Sequence, residues 1–305
     1  MTDPVRFHDV RREYRGKQVL SGLSFSVRPG EIYALLGRNG AGKTTAFKIL
    51  LGFLLPHAGR AELFGEASEH LSTNTRARVG LVTEGHPVYP FMNVEDLLAF
   101  EAGTQPRFER AYAEKALARL GIPRSAKLRQ ISRGQRSQVV LLMALAAKPQ
   151  ALLMDDPALG LDAAMRREFL DAMIELLAEE GHSVLYSSHI LNDVERVADR
   201  VGILHAGRLI ADLPLDELKR RVSRRFVRTA RAAHEWQHSV PGFVRAKAGP
   251  GGTEVVLFDE GDAGERALRA LDPALAPAQP LTLEEVFLEL TSSAETDVTG
   301  LGVSR

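Results

Sequence analysis

The sequence predicts an α/β protein with a mainly parallel sheet, followed by a small C-terminal α+β unit. Three observations lead to this prediction: an apolar strand that runs into a glycine-rich loop and a helix, a later alternation of strands with helices, and a change of pattern after about residue 215. Strands that alternate with helices favour a parallel sheet covered by helices. We expect a first domain at residues 1–215, an accessory domain at 216–290 and a flexible tail at 291–305.

The composition is typical of a soluble globular protein with room for two domains. The chain has 305 residues, of which 45% are hydrophobic and 26% charged. Lys plus Arg and Asp plus Glu each number 39, and zero net charge argues against a protein that mainly coats nucleic acid. The absence of cysteine excludes disulfides and thiolate metal sites. We find neither the apolar core of a signal peptide nor the roughly 20 apolar residues of a membrane helix, so we expect any membrane role to come through a partner.

Short apolar runs bounded by turn signals predict the strands of the first domain. They are residues 5–7, 19–20, 23–27, 31–36, 151–154, 183–187 and 201–204. The predicted helices are 43–55, a mostly helical region at 93–145 with N-caps at Asn93 and Ser132, 163–179 and 190–198. Pro56 ends the first of these helices.

The C-terminal region shows a different pattern. Asp216 is a candidate cap for a short helix, which leads into a basic run at 219–231. We interpret this basic run as a solvated face or linker. The alternative is that it contacts anionic lipid. Two strands at 243–248 and 253–258 follow, and then helices at 264–271 and 283–290.

Residues 37–44, Gly-Arg-Asn-Gly-Ala-Gly-Lys-Thr, match the pattern G-x-x-x-x-G-K-[ST] of a phosphate-binding loop. Gly40 and Gly42 allow backbone N–H groups to turn inward around phosphate oxygens, Lys43 reaches the outer phosphates, and the Thr44 hydroxyl can bind Mg²⁺. The helix that follows adds its positive N-terminal end. We therefore predict that this segment binds ATP with Mg²⁺, through Gly37, Asn39, Gly40, Ala41, Gly42, Lys43, Thr44 and Thr45.

Two carboxylates, Asp155 and Asp156, follow the apolar strand at 151–154. A pair of aspartates after a strand is by itself typical of a turn or a helix cap. Together with a phosphate-binding loop, however, a carboxylate at the end of a strand supplies the acceptor that a magnesium ion requires. We expect Asp155 to be the metal ligand.

The segment Ile131-Ser132-Arg133-Gly134-Gln135-Arg136 resembles the signature motif of ABC-type ATPases. Residues 1–213 resemble one cassette of that family. This resemblance implies a P-loop ATPase domain with a mainly parallel sheet, an antiparallel β subdomain and a helical subdomain. Residues 281–290 are similar to the ending of ATP-binding subunits of type-2 bacterial exporters.

The resemblance implies further roles in the order of the chain. Tyr14 matches the aromatic that stacks on adenine, and Glu84 lies where the loop between the subdomains supplies a metal ligand. Asp162 belongs to a loop that crosses a dimer interface, and His189 matches the switch histidine, which acts in catalysis with Asp156. The signature residues that face the nucleotide of a second subunit are Ser132, Arg133, Gly134 and Gln135.

The chain departs from the family pattern at four positions. Arg133 replaces a glycine of the signature, Glu84 replaces glutamine, Arg38 replaces proline, and Asp156 replaces the catalytic glutamate. Aspartate is one methylene shorter than glutamate, but it is still a carboxylate that can act as a base. We therefore expect ATP hydrolysis to be slow.

The resemblance implies an ATP-hydrolysing subunit of an exporter. We expect it to form a homodimer on binding ATP and to drive a separately encoded membrane permease as a peripheral protein on the cytoplasmic face of the cell membrane. One alternative is an ATP-gated regulatory switch that hydrolyses slowly or not at all. Another is a non-transport ABC ATPase acting on DNA or ribosomes, which the sequence disfavours because it contains neither a long coiled coil nor a second cassette. We expect no nucleic-acid partner.

Overall fold

The computed structural model describes residues 2–83, 89, 91–178, 182–229, 233–259 and 261–292. The fold is α/β, as predicted, and it divides into two compact units: residues 1–199 with 206–208, and residues 200–205 with 209–305. The strands are β1 (Val5–Tyr14), β2 (Lys17–Val27), β3 (Ile32–Leu36), β4 (Ala58–Leu63), β5 (Glu66–Ala67), β6 (Val79–Thr83), β7 (Ala151–Asp155), β8 (Ser183–Ser188), β9 (Arg200–His205), β10 (Arg208–Pro214), β11 (Val222–Val227), β12 (Phe243–Gly249) and β13 (Gly252–Phe258).

Eleven α-helices and one short 3₁₀ turn, Ser68–His70, lie within the described residues. The helices are α1 (Lys43–Leu50), α2 (Thr73–Arg76), α3 (Val94–Thr104), α4 (Arg110–Arg119), α5 (Arg133–Ala146), α6 (Ala163–Ala178), α7 (Leu191–Val194), α8 (Leu215–Arg221), α9 (Ala233–Ser239), α10 (Ala263–Leu271) and α11 (Leu283–Ser292).

A parallel sheet positions the site of the first unit. Four of its six strands belong to the first unit; they follow the order β3-β8-β7-β6, and each neighbouring pair among them is parallel. Every residue of β7 and β8 is buried, as expected for parallel strands covered on both faces. The register pairs Leu36 with Ser188 and Asp155 with Ser187. The carboxyl ends of β3, β7 and β8 therefore lie at one edge of the sheet.

A second sheet of the first unit is antiparallel, with the strand order β2-β1-β4-β5. Stacked aromatic rings join it to the parallel sheet. The Phe7 and Phe25 ring centroids are 4.7 Å apart, and those of Phe25 and Tyr33 are 4.8 Å apart. Since Tyr33 lies on β3, this stack fixes the antiparallel sheet against the strand that leads into the phosphate loop.

The helices α3 and α5 both begin at a capping box. The Asn93 side chain accepts a hydrogen bond from the Asp96 amide, and the Asp96 carboxylate accepts one from the Asn93 amide. Ser132 and Gln135 form the same reciprocal pair at α5. The predicted N-caps are therefore confirmed, and each satisfies amide groups that the helix leaves unpaired.

Three predicted helix ends are wrong. Helix α7, expected at 190–198, ends already at Val194. Helix α1 ends at Leu50 rather than at 55, because Gly52 turns the chain with φ 72° and approaches Ser68 so closely that a Cβ would lie 2.3 Å from its carbonyl oxygen. Helix α8 begins at Leu215, with Pro214 rather than Asp216 at its N-cap position. Asp216 lies in the first turn, where its charge complements the helix dipole.

The second unit contains a three-stranded antiparallel sheet in the order β11-β13-β12. One of its faces packs into an apolar cluster with α9 and α10. The cluster consists of Val227, Trp236, Val240, Val255, Leu257, Leu268 and Leu275. Because side chains alternate between faces along a strand, Arg224 and Val256 lie on the opposite face.

Ion pairs attach α11 to that opposite face. Arg245 donates to both carboxylate oxygens of Glu289, at 2.7 Å each, and Arg224 donates to Glu289 at 3.0 Å and to Glu285 at 3.1 Å. Glu289 is only 6% exposed. Burial raises the pKa of Glu289, but the hydrogen bonds from Arg245 and Arg224 outweigh burial, and the net pKa is lowered.

The predicted basic run thus contains a strand. β11 covers residues 222–227, and its arginines bind glutamates of the same unit: Arg224 as described, and Arg225 with Glu265. Arg221, just before β11, pairs with Glu217 in α8. These three arginines are engaged within the fold, which disfavours contact with lipid for them.

We expect Glu289→Gln to destabilise the C-terminal unit by about 3 kcal/mol at pH 7, because it removes the shared partner of two arginines. The folded-state pKa of Glu289 is lowered, so its contribution is present above the unfolded pKa of about 4.3 and is lost as pH falls through the folded pKa. The difference between variant and parent should therefore shrink in acid. Urea unfolding followed by fluorescence of Trp236, the single tryptophan, measures it.

The matched control is Glu284→Gln on the exposed side of the same helix. It should change the free energy of unfolding by less than about 0.5 kcal/mol. An equal effect of the two substitutions would contradict the role assigned to Glu289.

Candidate functional site

The glycine-rich loop connects β3 to α1 at the carboxyl edge of the parallel sheet. Gly42 has φ 114°, and a Cβ there would lie 2.7 Å from Leu20 Cδ2 and 2.9 Å from the Val19 carbonyl oxygen. Gly40 has φ 82° and is exposed. Only glycine fits position 42, and both glycines adopt the left-handed backbone that other residues rarely adopt. This geometry agrees with the predicted phosphate-binding loop.

The Lys43 side chain is buried within this loop. Its Nζ donates to the Gly37 carbonyl oxygen at 2.7 Å and lies 3.9 Å from Asp156 Oδ2. Burial lowers the pKa of Lys43, while the nearby charges of Asp156 and Asp155 oppose that shift. The cation thus has one neutral backbone acceptor, and a phosphate oxygen would be a stronger one.

The other predicted loop residues surround this lysine in sequence. Gly37 and Ala41 are buried, Asn39 and Thr44 are exposed, and Thr45 is half-buried. Thr44 and Thr45 lie in the first turn of α1, whose N-cap residue Gly42 has no capping side chain. The first amides of α1 therefore lack a side-chain cap, which suits them to an anionic ligand.

Asp155 and Asp156 lie at the end of β7 beside this loop. Ser187 Oγ donates to Asp155 Oδ1 at 2.7 Å and accepts a hydrogen bond from the Asp156 amide at 3.0 Å. Asp156 has φ 45°, a left-handed conformation that is uncommon outside glycine, although aspartate tolerates it. The neighbouring strand β8 thus holds the carboxylate of Asp155 and the backbone of Asp156.

His189 contacts Asp156 through two hydrogen bonds. Its amide lies 3.2 Å and its Nδ1 2.9 Å from Asp156 Oδ1. Because a carboxylate only accepts, Nδ1 carries a proton in this contact, and Nε2 remains for a second partner. The structure therefore brings together Lys43, Asp155, Asp156 and His189, which the sequence analysis assigns to one site.

The donor atoms next to the loop fit a magnesium ion. Asp155 supplies a buried carboxylate whose Oδ1 is oriented by Ser187, and Thr44 supplies a hydroxyl in the first turn of α1. Mg²⁺ prefers such hard oxygen ligands and is usually bound through one or two protein groups together with phosphates and water. Glu84, the third predicted metal ligand, lies outside the described residues.

The signature residues lie at the N-terminus of α5. Gly134 packs so closely on α6 that a Cβ there would lie 3.0 Å from Met165 Cβ. Arg133 Nη1 donates to the Gly160 carbonyl oxygen at 3.4 Å. Asp162 Oδ1 accepts hydrogen bonds from the amides of residues 164 and 165 and so caps α6. The structure thus brings the signature segment together with the predicted interface loop at 160–162.

Tyr14 lies at the end of β1, next to the turn that leads into β2. The residue is 41% exposed, and the Arg12 guanidinium lies 4.9 Å from the ring centroid. An exposed aromatic with one face in contact with a cation has an apolar surface available for stacking. The adenine contact stays a prediction.

Sequence reasoning missed Ser187 as a site residue. The residues Ser187-Ser188-His189 attract attention because of the histidine alone. The only sequence signal for Ser187 is that two serines lie at the end of the apolar strand predicted at 183–187. This pattern does not show which neighbouring strand the Ser187 hydroxyl faces.

Known proteins resemble this chain over part of its sequence and, in one case, over nearly all of it. A sequence model of the ABC transporter family matches residues 20–159. The chain is 30% identical over 289 residues to the ABC transporter ATP-binding protein YtrB of Bacillus subtilis, covering 93% of this chain and 97% of that protein.

Two further likenesses cover about 70% of the chain. The chain is 38% identical over 214 residues to the Nod factor export ATP-binding protein I of Burkholderia orbicola, which covers 68% of this chain and 70% of that protein. A solved structure of an ATP-binding subunit of an ABC transporter is 30% identical, with a TM-score of 0.62, and covers 71% of this chain and 92% of that one.

We expect Lys43→Ala to weaken MgATP binding roughly 100-fold, because the loss of a charge-assisted contact to phosphate removes about 2–3 kcal/mol. Calorimetric titration with MgATP measures the change. Lys48→Ala, on the exposed side of the same helix, is the control and should bind like the parent. Undiminished affinity of Lys43→Ala would contradict the site.

Proposed function

The chain belongs to the ATP-binding proteins of ABC transporters, and from this premise we propose that it hydrolyses MgATP as the motor subunit of an exporter. The observation that carries the proposal is the convergence of Lys43, Asp155, Asp156 and His189 at one edge of the parallel sheet. The Burkholderia relative is named for export, which supports this direction of transport.

The proposed chemistry assigns one task to each side chain. Lys43 exchanges the Gly37 carbonyl for an outer phosphate oxygen, and Asp155 and Thr44 hold Mg²⁺, which when bound neutralises charge on the phosphates. Asp156 accepts a proton from the attacking water. His189, oriented by Asp156 through Nδ1, donates from Nε2–H to the γ-phosphate when both of its ring nitrogens carry a proton.

The proposed dimer joins the site of one subunit to the signature residues of another. Ser132 is exposed, and its oxygen accepts the Gln135 amide, so the hydroxyl proton is left to donate to a phosphate. The N-terminus of the 14-residue helix α5 adds its positive end. Arg133 places a cation beside residues 160–162, where it stabilises negative charge at the interface.

An exposed aromatic surface supports a permease partner. Phe91 is 75%, Tyr89 51% and Phe100 43% exposed, and their rings are neighbours. Tyr89 and Phe100 also line a cavity of about 320 Å³ beside β6 and α5. A contiguous apolar patch of this kind marks an interaction site. We propose that a permease docks here and holds this subunit at the cytoplasmic face of the membrane.

Among the described helices, none combines the length and the apolar character required to cross a bilayer.

An ATP-gated switch is the alternative function. Asp156 is shorter than the glutamate it replaces, and one of its oxygens already binds His189. A carboxylate about 1 Å too far from water can slow hydrolysis on the order of 100-fold. ATP binding without measurable phosphate release by the unmodified protein with its permease would favour the switch.

We expect Asp156→Asn to abolish most phosphate release while ATP still binds, because the base is lost and the phosphate loop is unchanged. Phosphate release and calorimetric ATP binding are measured on the same preparation. The control is Asp171→Asn, which affects an exposed aspartate paired with Arg196 on the surface. Unchanged release by Asp156→Asn would remove Asp156 from the mechanism.

We expect ATP to promote a dimer of the Asp156→Asn protein and ADP to leave it monomeric, since only ATP reaches the signature residues of the second subunit. Sedimentation measures the mass. Ser132→Asp in the same background is a sharp control, because aspartate caps a helix as well as serine does but repels a phosphate. It should remain monomeric with ATP, and equal masses in every state would contradict the homodimer.

A further inference from the structure

We propose that Ser187 is a positioning residue for ATP hydrolysis, which orients the Asp155 carboxylate toward Mg²⁺ and holds the backbone of Asp156. This inference rests on the proposed function, because it deepens the role of the same site. The proposal gives a role to a residue that lies outside the glycine-rich loop at 37–44 and to which the sequence motifs assign no function.

The Ser187 hydroxyl donates a hydrogen bond to one aspartate and accepts one from the other. It donates its single proton to Asp155 Oδ1 at 2.7 Å and accepts the Asp156 amide at 3.0 Å. The residue is fully buried, and the parallel register places it directly opposite Asp155. Water does not compete for these bonds, so the hydroxyl is a fixed link between adjacent carboxylate residues.

For Asp155, the link determines which way the carboxylate points. With Oδ1 bound to Ser187, the side chain is held in one rotamer and Oδ2 is available to an ion. A partner that orients a metal ligand in this way affects the affinity for the metal as well as the chemistry. Ser187 should therefore act on Mg²⁺ even when no hydrolysis takes place.

For Asp156, the link stabilises an uncommon backbone conformation. The Asp156 amide donates both to Ser187 Oγ and to the Ser187 carbonyl oxygen, at 3.2 Å, while φ is 45°. An aspartate reaches less far than a glutamate, so the position of its backbone decides where its carboxylate lies. By holding the Asp156 backbone, Ser187 thus determines how close the Asp156 carboxylate lies to His189 and Lys43.

The test compares Ser187→Ala with Ser188→Ala in the full-length protein. Ser188 is the adjacent serine on β8, and its hydroxyl faces the backbone of Ile190 instead. We expect Ser187→Ala to raise the Mg²⁺ concentration at half-maximal ADP binding about tenfold and to lower kcat for phosphate release by at least a similar factor. Affinity for ADP in EDTA and KM for ATP should change little, and Ser188→Ala should match the parent.

A purely structural role would change the melting temperature or the affinity for ADP in EDTA without shifting the Mg²⁺ midpoint. Equal Mg²⁺ midpoints for Ser187→Ala and the parent would overturn the proposal. If the alanine variant does not fold, Ser187→Thr and Ser187→Val make the same comparison at equal side-chain volume, since only threonine keeps the hydroxyl. Threonine should retain the midpoint of the parent and valine should not, and equal midpoints would again overturn the proposal.

Failure of this proposal is distinguishable from failure of the proposed function. A parent protein that neither binds ADP in a Mg²⁺-dependent manner nor releases phosphate from ATP would contradict the function itself. A parent protein that does both, together with an unaltered Ser187→Ala variant, would contradict only the role of Ser187.

Discussion

The parallel pairing of β7 with β8 is the constraint on which the site depends. It places Asp155 opposite Ser187 and ends both strands at the edge where the glycine-rich loop leaves β3. A shift of register by one residue would move every side chain of a strand to the other face. Because both faces of these strands are covered, such a shift would pack every side chain against the wrong neighbours, so the close-packed core itself keeps the carboxylates in place.

The parts of the site that follow one another along the chain were predictable. The loop at 37–44 has a spacing that the chemistry of phosphate imposes, and the strand before Asp155 is apolar enough to be recognised. Ser187 was not predictable, because its role depends on strand register, which arises from long-range packing. Helix α1 ends early at Gly52 for a related reason: the turn there is determined by contact with Ser68, 16 positions further along the chain.

The C-terminal unit shows how composition can mislead. A run rich in arginine suggests a solvated surface, but strand β11 forms within it because alternate residues face two different environments. One face of the three-stranded sheet packs on the apolar cluster around Trp236. On the other face, Arg224 of β11 and Arg245 of β12 bind Glu289 of α11. Apolar burial supplies most of the stability on one side. The charges on the other side define where α11 lies, since arginine and carboxylate must meet in a fixed geometry.

The capping box at Ser132 has a consequence for the affinity of the proposed subunit association. The hydroxyl is confined to one rotamer by the Gln135 amide, and the Gln135 side chain is confined in return. Two side chains at the proposed interface therefore lose little conformational entropy when a second subunit arrives, a loss that typically amounts to about 0.5–1.5 kcal/mol per mobile side chain. In the proposed dimer, the helix terminus is therefore a rigid template, and the enclosed phosphate would determine how long the ATP-bound pair lasts.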